Sequence, residues 1–112
     1  MAQDFERIFK SSISNNSGSP TTITTANSDD AIIGIRCVNK SSSAVTVTVQ
    51  ITDSGSTTYN VISAAPVPVG GSLELIDGGS KIVMQTGDVL KAFADTASAV
   101  DVLTSIVDSI ST

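Results

Sequence analysis

Residues 31–52 read AIIGIRCVNKSSSAVTVTVQIT, and this stretch decides the fold class. From residue 45 to residue 52, valine and isoleucine alternate with threonine and glutamine, which is typical of a strand with one buried and one solvated face. Segment 32–38 is richer in apolar residues, as expected for a strand near the centre of a sheet. The polar run 39–43 between them has the composition of a hairpin loop, so the stretch predicts a β-hairpin.

Turn-forming residues divide most of the remaining sequence into short segments of strand composition. The final segment, 99–110, fits a strand face and a helical stripe equally well, but its valine and isoleucine content favours a strand. The chain holds 18 serines and 13 threonines, which suit turns and the outer faces of strands. Strands are predicted at 21–26, 32–38, 45–52, 58–62, 73–76, 81–85, 89–94 and 99–110, with tight turns at 53–56, 77–80, 86–88 and 95–98.

This pattern predicts an all-β fold in which residues 21–112 form a single antiparallel β-sandwich. Seven or eight short strands at roughly ten-residue spacing are typical of an Ig-like or jelly-roll-like sandwich. Segment 64–72, AAPVPVGGS, predicts the crossover from one sheet to the other. There Pro66 and Pro68 are expected to interrupt ladder pairing, and two glycines permit a sharp corner.

The N-terminal segment 1–13, MAQDFERIFKSSI, shows helical spacing. Phe5, Ile8 and Phe9 stand at i, i+3 and i+4, and Asp4 is placed to cap the turn. We therefore predict an N-terminal arm or short helix, followed by a flexible hinge at 14–20, so that residues 1–20 precede the sandwich domain. The arm is expected to dock either on its own sandwich or on a neighbouring subunit.

Charge and hydropathy disfavour two classes of partner. The net charge is −5 with a pI near 4.2, and the six basic residues are dispersed, so no basic stripe is present to bind phosphates. The same deficit disfavours anionic membrane surfaces. No apolar run approaches the roughly 18 residues of a membrane span, and the N-terminus lacks a secretory signal. We expect no nucleic-acid and no membrane partner, and synthesis in the cytoplasm.

The sequence offers little catalytic chemistry. It has no histidine, which is the commonest general base and metal ligand. The single cysteine, Cys37, lies in an apolar strand and is interpreted as a small buried hydrophobe, with a reactive thiol or intermolecular disulfide as the alternative. The adjacent Asp29 and Asp30 are half of a calcium site at most, and a plain turn is the preferred interpretation. We expect no enzyme activity, no catalytic residue, no cofactor and no metal.

From residue 21 to residue 108 the order of motifs resembles a family of small virion proteins of tailed bacteriophages, found especially in marine phages. The matching motifs are the apolar strand AIIGIRCVN, the alternating strand AVTVTVQITDSG, the proline crossover AAPVPVGGSLEL, and the run GGSKIVMQTGDVLKAFADTASAVDVLTSIV. This last run has a lysine after a glycine turn, a T-G-D turn, and a closing D-x-x-A-S-x-x-D-V segment.

The resemblance implies a structural component of a virus particle and no catalyst. The first expectation is a capsid decoration or cement protein that binds the major capsid protein, as a homo-oligomer with a trimer favoured. A tail, neck or fibre-base subunit is the alternative, and a host-surface glycan-binding module with Tyr59 as its stacking residue is the second. The expected partner interface comprises Phe5, Ile8 and Phe9 in the arm, with Pro66 and Pro68 as a further contact.

Overall fold

The computed structural model describes residues 4–76 and 82–108. Their regular structure consists of strands connected by turns and loops. In chain order the strands are β1 (Asp4–Lys10), β2 (Thr21–Thr25), β3 (Asp30–Asn39), β4 (Val45–Thr52), β5 (Thr58–Val67), β6 (Ser72–Glu74), β7 (Ile82–Met84), β8 (Val89–Ala94) and β9 (Val100–Asp108).

The strands form two antiparallel sheets that pack face to face. The first sheet has the order β1-β9-β3, with β6 and β7 both pairing along the far side of β3. The second sheet has the order β2-β8-β4-β5. Between them lies a core of valine, isoleucine, leucine and alanine side chains, together with Met84 and Cys37. The predicted all-β sandwich is confirmed.

The connectivity selects the jelly-roll alternative. β6 pairs with residues 36–38 of β3, and β7 pairs with residues 30–32 of the same strand. The two short strands are therefore successive halves of one interrupted edge strand. Counted as one, they give eight strands in the orders 1-8-3-6 and 2-7-4-5. This order, with two Greek keys shared between two sheets, is that of a jelly roll.

The predicted hairpin between residues 31 and 52 is wrong. β3 belongs to the first sheet and β4 to the second, so the polar loop 40–44 crosses between sheets. β3 pairs with β9, whereas β4 pairs with β5 and β8. Alternation shows that a segment is a strand with one buried face, but it does not identify the neighbouring strand. The true hairpin joins β4 to β5, where the Asp53 carboxylate accepts the Gly55 and Thr57 N–H groups.

Of the two alternatives predicted for the N-terminus, an arm or a short helix, the helix is wrong, because residues 4–10 form strand β1. The strand pairs with β9 without a register shift, from Asp4 opposite Asp108 to Lys10 opposite Val102. An isolated helix of this length is marginal in water, whereas the ladder to β9 satisfies backbone groups and places Ile8 on the core. Ile13, which follows the strand, is fully buried. The segment thus docks on its own sandwich.

The crossover prediction is confirmed, with one correction to its reasoning. β5 ends at Val67 in the second sheet and β6 begins at Ser72 in the first. Pro66, however, lies within β5 opposite Thr46, because β5 is an edge strand whose free side needs no N–H donor. The terminal segment is a strand over Val100–Asp108, as predicted. The turn expected at 77–80 lies outside the described residues.

Candidate interaction surface

Two large apolar side chains of the N-terminal segment are exposed on the outer face of the first sheet. Side chains alternate along β1, so Phe5, Arg7 and Phe9 point to solvent while Ile8 packs against the core. Phe5 is 81% exposed and Phe9 is 51% exposed. Large apolar side chains on the surface are buried only when a partner covers them, so this face is the first candidate for an interface.

Neighbouring strands extend this face away from β1. The register places Val107 of β9 beside Phe5 and Leu103 beside Phe9, and both aliphatic side chains are half-buried. Ile33, at the register shift of β3, is half-buried as well. The result is a mixed aromatic and aliphatic surface, which we call the aromatic face, built from Phe5, Arg7, Phe9, Ile33, Leu103 and Val107.

An open groove of about 450 Å³ lies at one end of the aromatic face. Its lining combines an aromatic ring, a guanidinium, a carboxylate, aliphatic side chains and a hydroxyl. This mixture of apolar and charged groups suits an apolar side chain with a polar group beside it. The lining residues are Phe5, Glu6, Arg7, Ile33, Ser105 and Ile106.

Charged groups on the aromatic face are held by local contacts. The Arg7 guanidinium lies 4.5 Å from the centroid of the Phe9 ring, a cation–π arrangement. Farther along, Arg36 forms an ion pair with Glu74, with 3.3 Å between Nε and Oε1. Both arginines therefore have a contact partner on this face, in a protein with a net charge of −5.

A polar cluster, which we call the clamp, fixes the end of β1 to the sheet. Asp101 of β9 accepts the Ser12 N–H at 2.9 Å and pairs with the Lys40 ammonium at 2.9 Å. Lys40 also donates to the Ser11 and Ser12 hydroxyls. Partial desolvation of the Asp101 carboxyl opposes these contacts, but the hydrogen bonds from Lys40 and Ser12 prevail and lower its pKa.

Pro66 and Pro68 do not join the aromatic face. Both are exposed, but β5 and the crossover lie at the edge of the sandwich opposite β1. The Pro68 carbonyl accepts the Gly71 N–H at 2.9 Å and contacts the Asn39 side-chain amide. These contacts account for the crossover sequence as a chain reversal. The two predicted interface regions lie at opposite edges of the sandwich, so the structure does not bring them together.

Cys37 and Asp30, two of the residues that the sequence singled out for possible chemistry, have defined surroundings in the structure. Cys37 is fully buried, and burial, with a smaller contribution from the Glu74 charge, raises the pKa of its thiol to about 12. The thiol is therefore protonated and shielded at neutral pH. Asp30 begins β3 and accepts the Ser28 hydroxyl at 2.8 Å. Within residues 4–76 and 82–108, no three histidine, cysteine or acidic side chains gather at metal-binding distance.

The sequence reasoning identified Phe5 and Phe9 but missed the rest of the aromatic face. Arg7 was overlooked because helical spacing places it away from both phenylalanines, whereas strand alternation places all three side chains on one side. Ile8 was grouped with the phenylalanines, and the structure separates it from them. The sequence signal that finds Arg7 is the i, i+2, i+4 pattern of Phe5, Arg7 and Phe9.

Comparison with protein-family models and with curated proteins finds no match to this chain. In the part of the chain that the structure describes, no helix is long and apolar enough to cross a membrane.

Proposed function

We propose that this protein is a non-enzymatic structural component of a phage particle, which decorates the assembled capsid and stabilises it. The observation that carries the proposal is the aromatic face, where two phenylalanines and an arginine stand exposed on a regular sheet. Aromatic residues and arginine are the residue types that dominate binding energy at protein interfaces. The sequence resemblance to small virion proteins supplies the setting.

The fold is consistent with this role without fixing it. Jelly rolls occur in viral capsid proteins and in lectin domains, so the connectivity alone does not decide between them. A protein that binds only the assembled shell stabilises the shell by mass action, because its binding free energy is lost whenever the shell comes apart. Such a protein needs a rigid module and an exposed contact surface, and it needs no reactive group.

The first test is the copy number of this chain in purified particles, measured by quantitative mass spectrometry against the major capsid protein. We expect one copy per capsid subunit, or one per three. A few copies to a few dozen per particle would instead support a tail, neck or fibre-base subunit. Absence from particles would contradict the virion role, and glycan binding through the exposed Tyr59 would become the leading hypothesis.

The second test removes the two aromatic anchors. The double variant Phe5→Ala, Phe9→Ala is expected to fold normally and to bind assembled shells at least about 100-fold more weakly, as is typical for the loss of interface anchors. The measurement is co-sedimentation of purified protein with shells. The matched control is Tyr59→Ala, Val69→Ala, which removes two side chains of comparable exposure, 56% and 58%, outside the aromatic face. Equal loss of binding in both variants would contradict the assignment.

A further inference from the structure

Three of the four sheet edges among the described strands are protected against pairing with another chain. β2 contains a register shift between Thr22 and Thr24, which bends the strand. β5 contains two register shifts and Pro66. The third edge is divided into the three-residue strands β6 and β7. Bulges, prolines and very short strands are the usual ways to prevent edge-to-edge association.

The fourth edge, β1, lacks these devices. It is a seven-residue strand that follows β9 without a register shift and contains no proline. Its charged residues give some protection, but its exposed face carries Phe5 and Phe9. Among the described strands, β1 is therefore the one regular free edge that is lined by large apolar side chains.

Hydrogen bonds elsewhere in the first sheet show which backbone groups of β1 face this free edge. The Lys40 N–H donates to the Ala99 carbonyl, on the β3 side of β9, at 2.9 Å. Backbone groups alternate sides along a strand, so the even-numbered residues of β9 face β1 instead. The bond from the Ile13 N–H to the Val100 carbonyl, at 3.0 Å, agrees with this assignment.

The β1–β9 register pairs these even-numbered residues with the even-numbered residues of β1. The N–H and C=O groups of Phe5, Arg7 and Phe9 therefore point away from β9, toward the free edge. These three residues are arranged symmetrically about Arg7. An antiparallel copy of the same strand, related by a twofold axis at Arg7, places Phe5 opposite Phe9, Arg7 opposite Arg7, and Phe9 opposite Phe5.

We propose that β1 pairs in this way with β1 of a second copy, so that the first sheets of two molecules join into one continuous sheet. Each of the three facing pairs is of the hydrogen-bonded type, which gives about six backbone hydrogen bonds. Side chains of facing residues lie on the same side of a sheet, so two Phe5–Phe9 aromatic pairs form on the aromatic face.

One contact opposes this pairing. The two Arg7 side chains meet at the axis, and like charges directly opposite each other weaken a strand pair. The guanidinium already lies over the Phe9 ring, 4.5 Å from its centroid, which draws the charge off the axis. The dimer is therefore expected to be weak at low ionic strength and stronger when salt screens the two arginines.

The inference concerns the isolated protein and does not rest on the proposed virion role. The two roles of β1 are compatible, because pairing uses the strand edge and leaves the aromatic face of both copies accessible from above. A shell-binding dimer presents two aromatic faces side by side.

Sedimentation velocity from about 10 µM to about 1 mM tests the association, because an interface made by one pair of strands is small and therefore weak. We expect a concentration-dependent species of twice the 11.4 kDa chain mass, strengthened by salt. Arg7→Thr removes the opposed charges and keeps the N–H, so it should tighten the dimer by up to about fivefold. Arg7→Pro also removes the charge but lacks the N–H, so it should weaken the dimer at least about tenfold.

Oxidative cross-linking of single-cysteine variants tests the register. Arg7→Cys brings two sulfurs together, because facing Cα atoms of a hydrogen-bonded pair lie about 5.5 Å apart, within disulfide range. Phe5→Cys and Phe9→Cys each leave their two cysteines about 14 Å apart, at four residues of strand rise. Arg7→Cys should therefore cross-link much faster than the other two, while the buried Cys37 stays unreacted.

A protein that stays monomeric up to about 1 mM overturns the proposal. So does a species of three times the chain mass, because a trimer cannot form by twofold strand pairing. Equal cross-linking rates for the three cysteine variants, or a dimer that Arg7→Pro leaves unchanged, also contradict it. If Arg7→Pro loses its cooperative thermal transition, the cross-linking comparison decides.

Discussion

At the scale of single residues, Asn39 has the most consequential set of contacts. It is 1% exposed, and its side-chain NH2 group, which has two hydrogens to donate, lies 2.8, 3.1 and 3.2 Å from the carbonyl oxygens of Ser43, Val67 and Pro68. Its side-chain oxygen accepts the Ser41 N–H at 2.9 Å. The chain crosses between the sheets after β3 and again after β5, so one side chain ties together two of the connections between the sheets.

Asn39→Ala should lower the free energy of unfolding by about 3 kcal/mol, because one buried and two partly buried backbone carbonyls lose their donor. The measurement is the urea midpoint at constant m-value. Asn60→Ala is the matched control, since Asn60 is exposed and accepts a single bond, from Gln50. The control should change stability by less than about 0.5 kcal/mol. Similar losses in both variants would show that Asn39 does not hold the crossovers together.

At the scale of structural elements, the clamp connects the end of β1 to β9 and to the loop that follows β3. Asp101 lies on β9, Lys40 follows β3, and the two serines follow β1, so three elements meet at one carboxylate. The side chains of Asp101 and Lys40 remain 34% and 39% exposed, so solvent screens their interaction. The clamp therefore orients the end of β1 more than it stabilises the fold.

Asp101→Asn should lower stability at neutral pH by less than about 1 kcal/mol. The folded-state pKa of Asp101 is lowered, so its contribution is fully present above the unfolded value near 3.8 and is lost as pH falls through the folded value. The gap between wild type and variant should thus stay constant at higher pH and close below about pH 3.8. Urea unfolding across this pH range measures it. A gap that persists in acid would assign the effect to packing.

At the scale of the whole molecule, one side of β1 packs against the core and the other side is exposed to partners. Ile8→Ala should lower the free energy of unfolding by about 1–2 kcal/mol, because a half-buried isoleucine loses part of its packing. Phe5→Ala should change it by less than about 0.5 kcal/mol, since that ring is 81% exposed. Each variant should show one cooperative transition in calorimetry. A separate early transition in Ile8→Ala would mean that β1 melts independently of the sandwich.

The local sequence of the N-terminal segment predicts only part of the candidate site. Phe5 and Phe9 stand out in the sequence through their i, i+3 and i+4 spacing with Ile8. Their separation from Ile8 was not recognised, because apolar residues at i, i+3 and i+4 fit a helical stripe and also fit two faces of a strand. Pairing with β9, which lies about a hundred residues later in the chain, makes this segment a strand and not a helix.

Local sequence patterns were sufficient for the all-β class, for strands β2 to β9 and for the crossover between β5 and β6, but not for β1, whose residues show helical spacing. Alternation, turn residues and prolines act over a few residues, so they can be read locally. Only the tertiary structure decided that β3 and β4 lie in different sheets and that β1 is an edge strand. It also decided that Phe5, Arg7 and Phe9 share one exposed face. Strand pairing is non-local, because many segments of this chain offer the same alternating pattern and only the shared core selects among them.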